Sequence, residues 1–245
     1  GAELFQCVER MHVEGVGELE TYPNRDSLGY IDLYGLDGVE SMLRGTLRYP
    51  GWCEVLQAVV ALGLLDETPV TYPADLSYAN WFRQVSGAAA GDDLHAYVAG
   101  RLGVAADAHA VHCLDWLGLF GDEVIPAAGE QSTALDVLAQ RMTAKMSFAG
   151  GERDMIVMRH EFIARLPGGT TERTNSTLLE FGPAGDDSAM ARTVSLPAAV
   201  AARLILAGKI CETGVHIPVS AEIYTPVLDA LAQMGIRFAE ETQTA

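Results

Sequence analysis

The spacing of apolar residues changes character along this chain, and that change constrains the fold more than any other feature. Between residues 52 and 146 the spacing is helical. Val55, Leu56, Val59, Val60 and Leu62 share one face ahead of Gly63, Leu114, Leu117 and Leu119 make a second, and Leu135, Leu138, Met142 and Met146 a third. Ala-, Asp- and Gly-rich connections such as Gly87 to Asp93 lie between them. After Gly150-Gly151 the period shifts to two, with Met155, Val157 and Arg159 alternating against Ile156, Met158 and His160, and a second β-rich run from Thr177 to Phe181. Pro167-Gly168-Gly169 reads as the hairpin turn of an antiparallel pair. A helix is predicted from Ser188, broken near Ser195 by Pro197 and resuming with Val200, Leu204 and Ala207 before Gly208. Pro226 to Gly235 predicts a last helix and Ile236 to Ala239 a last short strand, ahead of a polar tail. The class is α+β. The expected organisation is a mixed β-sheet domain made of residues 1–51 and 147–245, with a mostly helical subdomain, 52–146, inserted in it.

The stretch from Tyr22 to Trp52 concentrates cationic groups, Arg25, Arg44 and Arg48, in a chain with 16 Lys plus Arg against 33 Asp plus Glu. Arginine suits carboxylates, because its planar fork donates two parallel hydrogen bonds and keeps its charge at any ordinary pH. Pro23-Asn24-Arg25-Asp26-Ser27 reads as a turn, since proline presets φ and Asn, Asp and Ser bond their own backbone. Tyr30 to Gly35 predicts a short helix, and Met42 to Arg48 a strand ending before Pro50-Gly51, with Gly45 allowing close approach of a ligand or another backbone. Strand ends hold ligands in open α/β sheets. The plainer alternative is that these arginines pair with the abundant acids. Within residues 1–21, after Leu4, Phe5 and Val8, the Gly- and Glu-rich run Glu14-Gly15-Val16-Gly17-Glu18-Leu19-Glu20 reads as a loop.

Several of these segments carry a family likeness. Pro23 to Ser27 followed by Arg44-Gly45-Thr46-Leu47-Arg48-Tyr49-Pro50-Gly51-Trp52 resembles saccharopine dehydrogenase of the glutamate-forming type, including the dehydrogenase half of bifunctional aminoadipic semialdehyde synthase. The likeness continues through Trp116-Leu117-Gly118-Leu119, Glu152 to Met158, Ser188 to Val194 running into Leu196-Pro197-Ala198-Ala199, and Ile223 to Leu228, in the same order. It covers about residues 20 to 240. The resemblance implies saccharopine as substrate, a molecule with three carboxylates and two amines. It also implies substrate contacts at Arg25, Thr46, Leu47 and Arg48: the two arginines as carboxylate clamps, Thr46 through its hydroxyl or backbone, Leu47 through its main chain. Arg44 is left open between a substrate contact and a structural role. The implied chemistry is oxidation of saccharopine with NADP or NAD and water to glutamate and 2-aminoadipate 6-semialdehyde, or the reverse.

The family's dinucleotide fingerprint, G-x-G-x-x-G between a strand and a helix, is missing, and Gly15-Val16-Gly17 is the nearest approach to it. The resemblance therefore implies that the nicotinamide cofactor is bound mainly by a domain absent from this chain. No catalytic or cofactor-binding residue is assigned here, and the chain alone is expected to be inactive. The alternative expectation is a non-catalytic binding or dimerisation module derived from the same family, and a homodimer fits either reading.

A formal charge of −17 excludes nucleic acid and anionic membrane as natural partners, because both attract cationic surfaces. Cys7, Cys53, Cys113 and Cys211 are scattered without C-x-x-C spacing, and no signal-peptide pattern opens the chain; reduced thiols in the cytoplasm are expected. Val55 to Leu65 reads as the longest apolar stretch, short of the roughly 20 residues that span a bilayer. His95, His109 and His112 fall in one helical region, yet zinc needs further ligands at suitable spacing and Cys113 is expected to point elsewhere, so no metal site is predicted. His160-Glu161 reads as a strand-end pair with acid-base capacity, more simply a solvated pair, and His216 as a loop residue. Ser188 is a helix N-cap candidate whose neighbouring N–H groups could alternatively receive a substrate carboxylate, with Asp186-Asp187 complementing the positive helix end.

Overall fold

Glu9 to Arg48 build a three-stranded antiparallel sheet from β1 (Glu9–Val13), β2 (Gly17–Pro23) and β3 (Gly45–Arg48), in the order β1-β2-β3. The structure is a computed structural model describing residues 3–126, 131–185 and 188–244. Val13 pairs with Gly17, and the Val16 N–H donates to the Val13 carbonyl at 3.0 Å, so Glu14-Gly15-Val16 is a hairpin turn. Its glycines sit at φ 79° for Gly15 and 101° for Gly17, a region side chains disfavour. The run Glu14–Glu20, expected above as a loop, is thus a turn that opens into β2, with β1 ahead of it. The run's Glu-rich composition argues against strand by propensity, and the burial of Val13 and Leu19 overrides it. Helix α1 (Gly29–Leu33) follows, with Gly35 at φ 63° as the expected stop.

Five helices occupy the middle of the chain: α2 (Trp52–Ala61), α3 (Tyr78–Ser86), α4 (Leu94–Leu102), α5 (His109–Trp116) and α6 (Ala134–Met146), with a small pair, β4 (Val70–Thr71) and β5 (Gln131–Ser132). Local chemistry sets their ends. Ser77 caps α3, Asp93 caps α4 through the N–H groups of His95 and Ala96, and Thr133 with Asp136 forms a capping box on α6. The core gathers Leu64, Trp81, Phe82, Val98, Val111, Leu114 and Leu119, all fully buried. The buried face of α6 is Ala134, Val137, Leu138 and Arg141, rotated from the expected Leu135, Leu138, Met142 and Met146, and Met146 is exposed. Arg141 takes a place on that buried face. Its guanidinium donates to the Leu117 carbonyl at 2.5 Å, pairs with Glu123 at 2.8 Å and lies over the Tyr78 ring at 4.4 Å. A Cβ on Gly118 would collide with it, so only glycine leaves room at that position.

The remainder is β6 (Met155–Arg165), β7 (Thr171–Phe181), α7 (Ala189–Leu206), α8 (Ala221–Gln233) and β8 (Ala239–Thr244), with the sheet ordered β6-β7-β8. The expected hairpin is present, its turn closed by Leu166 N–H on Thr170 O at 2.8 Å and Gly169 N–H on Leu166 O at 3.1 Å. Leu178, Val200, Leu204, Ile210, Val227, Leu231 and Ile236 form a separate core between sheet and helices. Helix α7 passes through Pro197 without the expected break, because proline removes one N–H while packing at Val200 and Leu204 holds the far turns. Helix α8 begins upstream of Pro226, at Ala221. The polar tail is itself the last strand, shifted from the expected 236–239. Cross-strand bonds hold it, Thr174 to Thr242 at 2.9 Å and Ser176 to Glu240 at 3.2 Å. By length and composition α7, 18 residues with mean hydropathy 1.4, is long and apolar enough to cross a membrane, so Val55–Leu65 is not the longest apolar stretch of the chain.

The chain is α+β, and each strand pairing among the described residues is antiparallel. It divides into two units, residues 1–31 with 38–147, and residues 32–37 with 148–245. This division differs from the expected grouping of 1–51 with 147–245. The carboxylate of Glu20 on β2 bonds the start of α2, and Gln57 on α2 bonds the Phe5 carbonyl, which ties the first sheet to the helices.

Candidate functional site

Pairing of β2 with β3 assembles the arginine region. Thr46 lies opposite Tyr22 and Arg48 opposite Glu20, so strand alternation puts Thr46 and Arg48 on one face and Gly45 and Leu47 on the other. A Cβ on Gly45 would meet Thr21 Oγ1 at 2.6 Å and the Tyr22 carbonyl at 3.1 Å, so this glycine admits the neighbouring strand. The sheet is antiparallel, and the crevice rule of open α/β sheets does not govern it. Arg48 still ends β3 immediately ahead of α2.

The turn after β2 is tightly fixed. Asn24 N–H donates to the Arg44 carbonyl at 2.8 Å and its side-chain Nδ2 donates to Thr46 Oγ1 at 2.8 Å. Asp26 Oδ1 accepts from Leu28 N–H at 2.9 Å, and the buried Ser27 hydroxyl donates to Met42 O at 3.2 Å. Between them Arg25 sits at φ 65°, the positive-φ non-glycine among the described residues. Such a conformation costs an ordinary side chain about 1 kcal/mol and persists only where neighbours impose it.

Arg25 is exposed and has no hydrogen bond or ion pair among the described residues. Arg44 donates to the Tyr30 hydroxyl at 3.3 Å and lies over that ring at 6.0 Å. Arg48 donates to the Leu47 carbonyl at 2.8 Å and lies over Trp52 at 5.4 Å. None of the three meets a carboxylate among the described residues, despite the chain's excess of acids. The alternative that they serve as surface ion pairs is thereby not what the structure displays.

Glu20, opposite Arg48 on β2, ties the group to α2. Its carboxylate is buried and accepts from Gly51 N–H at 3.0 Å and Cys53 N–H at 2.5 Å, filling the N-terminus of α2. Burial alone would push this carboxyl up; the Cys53 and Gly51 N–H groups, the Cys53 thiol and the Arg10 charge outweigh it and hold it below the ordinary range. Burial, then Glu20, pushes the Cys53 thiol up to about 11, so it stays neutral and unreactive. Neither Glu20 nor Asn24 was singled out by composition or spacing. Asn24 lies inside the turn motif, whereas Glu20 sits in a run whose pairing the sequence did not display.

The other candidates have partners within the chain. Cys113 Sγ lies 3.5 Å from His109 Nε2, one helical turn away, contrary to the expectation that it points elsewhere. His95 Nε2 pairs with Asp115 at 3.3 Å, and His216 Nε2 bonds Thr213 O at 2.7 Å. Among the described residues no three His, Cys, Asp or Glu side chains gather as a metal site. His160 and Glu161 lie within β6 and not at its end: His160 stacks on Phe162 at 6.1 Å, and Glu161 pairs with Arg173 at 3.3 Å. The start of α7 is already filled, by Asp154 on the N–H groups of Ala189 at 2.6 Å and Met190 at 2.8 Å and by Ser188 on Ala191 at 2.9 Å. Ser188 is therefore a cap, and Asp186-Asp187 lie outside the described residues. Gly15 and Gly17 shape a strand-to-strand turn, so the described residues do not fit a dinucleotide at that motif.

The saccharopine dehydrogenase C-terminal domain family matches residues 1–236. This chain belongs to that family. It is 38% identical over 232 residues to the mitochondrial alpha-aminoadipic semialdehyde synthase of Bos taurus, covering 91% of this chain and 24% of that protein. It is 36% identical over 228 residues to the NADP(+), L-glutamate-forming saccharopine dehydrogenase of Saccharomyces cerevisiae, covering 90% of this chain and 50% of the relative. The solved apo saccharopine dehydrogenase (L-Glu forming) from S. cerevisiae superposes with a TM-score of 0.87 at 31% identity, over 98% of this chain and 55% of that one. The chain thus spans between a quarter and about half of the length of these relatives. The family match includes Arg25, Thr46, Leu47 and Arg48 together with the turn that holds them.

Proposed function

We propose that this chain is the substrate-binding part of a saccharopine dehydrogenase, an oxidoreductase of lysine metabolism that interconverts saccharopine with glutamate and 2-aminoadipate 6-semialdehyde. The observation that carries this reading is the set of guanidiniums at the β2–β3 end, which lack carboxylate partners among the described residues of a strongly acidic chain. A substrate with three carboxylates supplies what these cations lack. Arg25 and Arg48 are the carboxylate clamps, each fork able to give two parallel N–H bonds. Thr46 offers its hydroxyl. The Leu47 carbonyl is engaged by Arg48, so Leu47 acts by holding that guanidinium. Arg44, braced on Tyr30, adds positive charge on the turn side of β3.

The role of this chain is to bind and orient. NADP or NAD is the proposed hydride carrier of the whole enzyme, held mainly by residues other than those described, and no chemical step is assigned to this chain's side chains. A cytoplasmic setting belongs to the same proposal. The test is calorimetry of saccharopine binding to this chain with Arg48→Lys beside it. Lysine keeps the charge and loses the fork, so affinity falls about tenfold or more; an unchanged Kd removes Arg48 from the site.

A further inference from the structure

The carboxylate clamp leaves one residue of the turn unexplained. Asn24 is half-buried and makes two bonds, its backbone N–H to the Arg44 carbonyl and its Nδ2 to Thr46 Oγ1, both at 2.8 Å. The second has a direction. The amide is the donor, so the Thr46 oxygen is the acceptor, and the hydroxyl proton must point away from Asn24. Among the described residues no protein oxygen receives that proton. A hydroxyl polarised in this way is a donor, which an anion needs; with an acceptor in place of the amide it would present lone pairs instead. The first bond extends the β2–β3 pairing past Pro23, where proline cannot donate, and brings the left-handed Arg25 beside β3.

We infer that Asn24 is a positioning residue of the anion site, which orients the Thr46 hydroxyl as a donor toward a substrate carboxylate and fixes the backbone from which Arg25 projects. This rests on the proposed reading that Arg25, Thr46 and Arg48 hold a carboxylate. Asn24 itself touches no substrate. Its effect is on polarity: Asn24→Asp, nearly the same shape, turns the donor into a charged acceptor, draws the Thr46 proton inward and adds a negative charge next to the anion.

The experiment is calorimetric titration of the chain with saccharopine for Asn24→Ala, Asn24→Asp, Thr46→Val, Thr46→Ser, the double variant Asn24→Ala/Thr46→Val, and Arg48→Ala as reference. Thermal unfolding is followed in parallel. Expected results are a loss of about tenfold for Thr46→Val and for Asn24→Ala, a larger loss for Asn24→Asp, near-native binding for Thr46→Ser, and a double variant little weaker than either single one, since both remove the same bond. A residue that merely supports the fold would lower the melting temperature without making Asp worse than Ala, and its effect would add to that of Thr46→Val. Binding by Asn24→Asp within twofold of the native chain, with Arg48→Ala impaired, overturns this inference and leaves the clamp standing. Should Asn24→Ala fail to fold, the comparison of Asn24→Asp with Thr46→Val decides alone. Native binding by Arg48→Ala, or no binding by the native chain, overturns the clamp and this inference with it.

Discussion

The buried carboxylate of Glu20, opposite Arg48 on the paired strand, accepts backbone N–H bonds from Gly51, the N-cap of α2, and from Cys53. Its carboxyl is held below the ordinary 4.5 of a glutamate, so its contribution is fully present above that value and is lost as pH falls through the lower, folded value. Denaturant unfolding of the native chain is therefore expected to weaken below about pH 4.5 more steeply than that of Glu20→Gln. At neutral pH the variant is expected to lose about 1–2 kcal/mol, because a charged cap becomes a neutral one. A variant with the same acid slope as the native chain contradicts this account. Arg141 is the second decisive residue. Its partners Leu117, Glu123 and Tyr78 enclose it almost completely, so Arg141→Ala leaves polar groups without their donor and is expected to cost about 3 kcal/mol or more in urea unfolding. Thr46 and Leu47 enter only through the family resemblance, whereas Arg25, Arg44 and Arg48 stood out before any fold was known as cations clustered in an acidic chain. Their freedom from carboxylates was not legible, since that depends on which strand edges meet.

Among the elements, β6 and β7 were readable in part, from the aliphatic runs Met155–Met158 and Leu178–Leu179 on either side of a Pro-Gly-Gly tip. Helix α2 was readable from a dense aliphatic stripe. Helices α3 and α4 carry alanines, aromatics and polar residues in place of such a stripe, and their positions follow from caps and from the burial of Trp81, Phe82 and Val98. β2 and β8 are rich in glutamate and threonine and pair with β3 and β7, neighbours distant in sequence that no local pattern reports, while β1 meets β2 across the tight Glu14-Gly15-Val16 turn. The junction of β7 with α7 gives a test of its own. A Cβ on Gly182 would collide with the Asp154 carboxylate and approach the Ala189 nitrogen to 2.8 Å. Gly182→Ala is therefore expected to displace Asp154 from the helix start and lower the melting temperature. An unaltered melting temperature would show that Asp154 does not hold this junction.

At the scale of the whole molecule, two cores stand apart in sequence, one built from residues 59–138 and one from residues 178–236. The arginine turn belongs to the first unit, tied to the helices through Glu20 and Gln57. A binding or dimerisation module without a substrate would form a dimer indifferent to saccharopine, and its arginines could be replaced without loss. The measurement that separates the readings most directly is titration of saccharopine into this chain, native and with Arg25→Ala and Arg48→Ala. The account predicts a saturable heat for the native chain that falls about tenfold or more in affinity in each variant. Identical heats in all three, or none in the native chain, would contradict it.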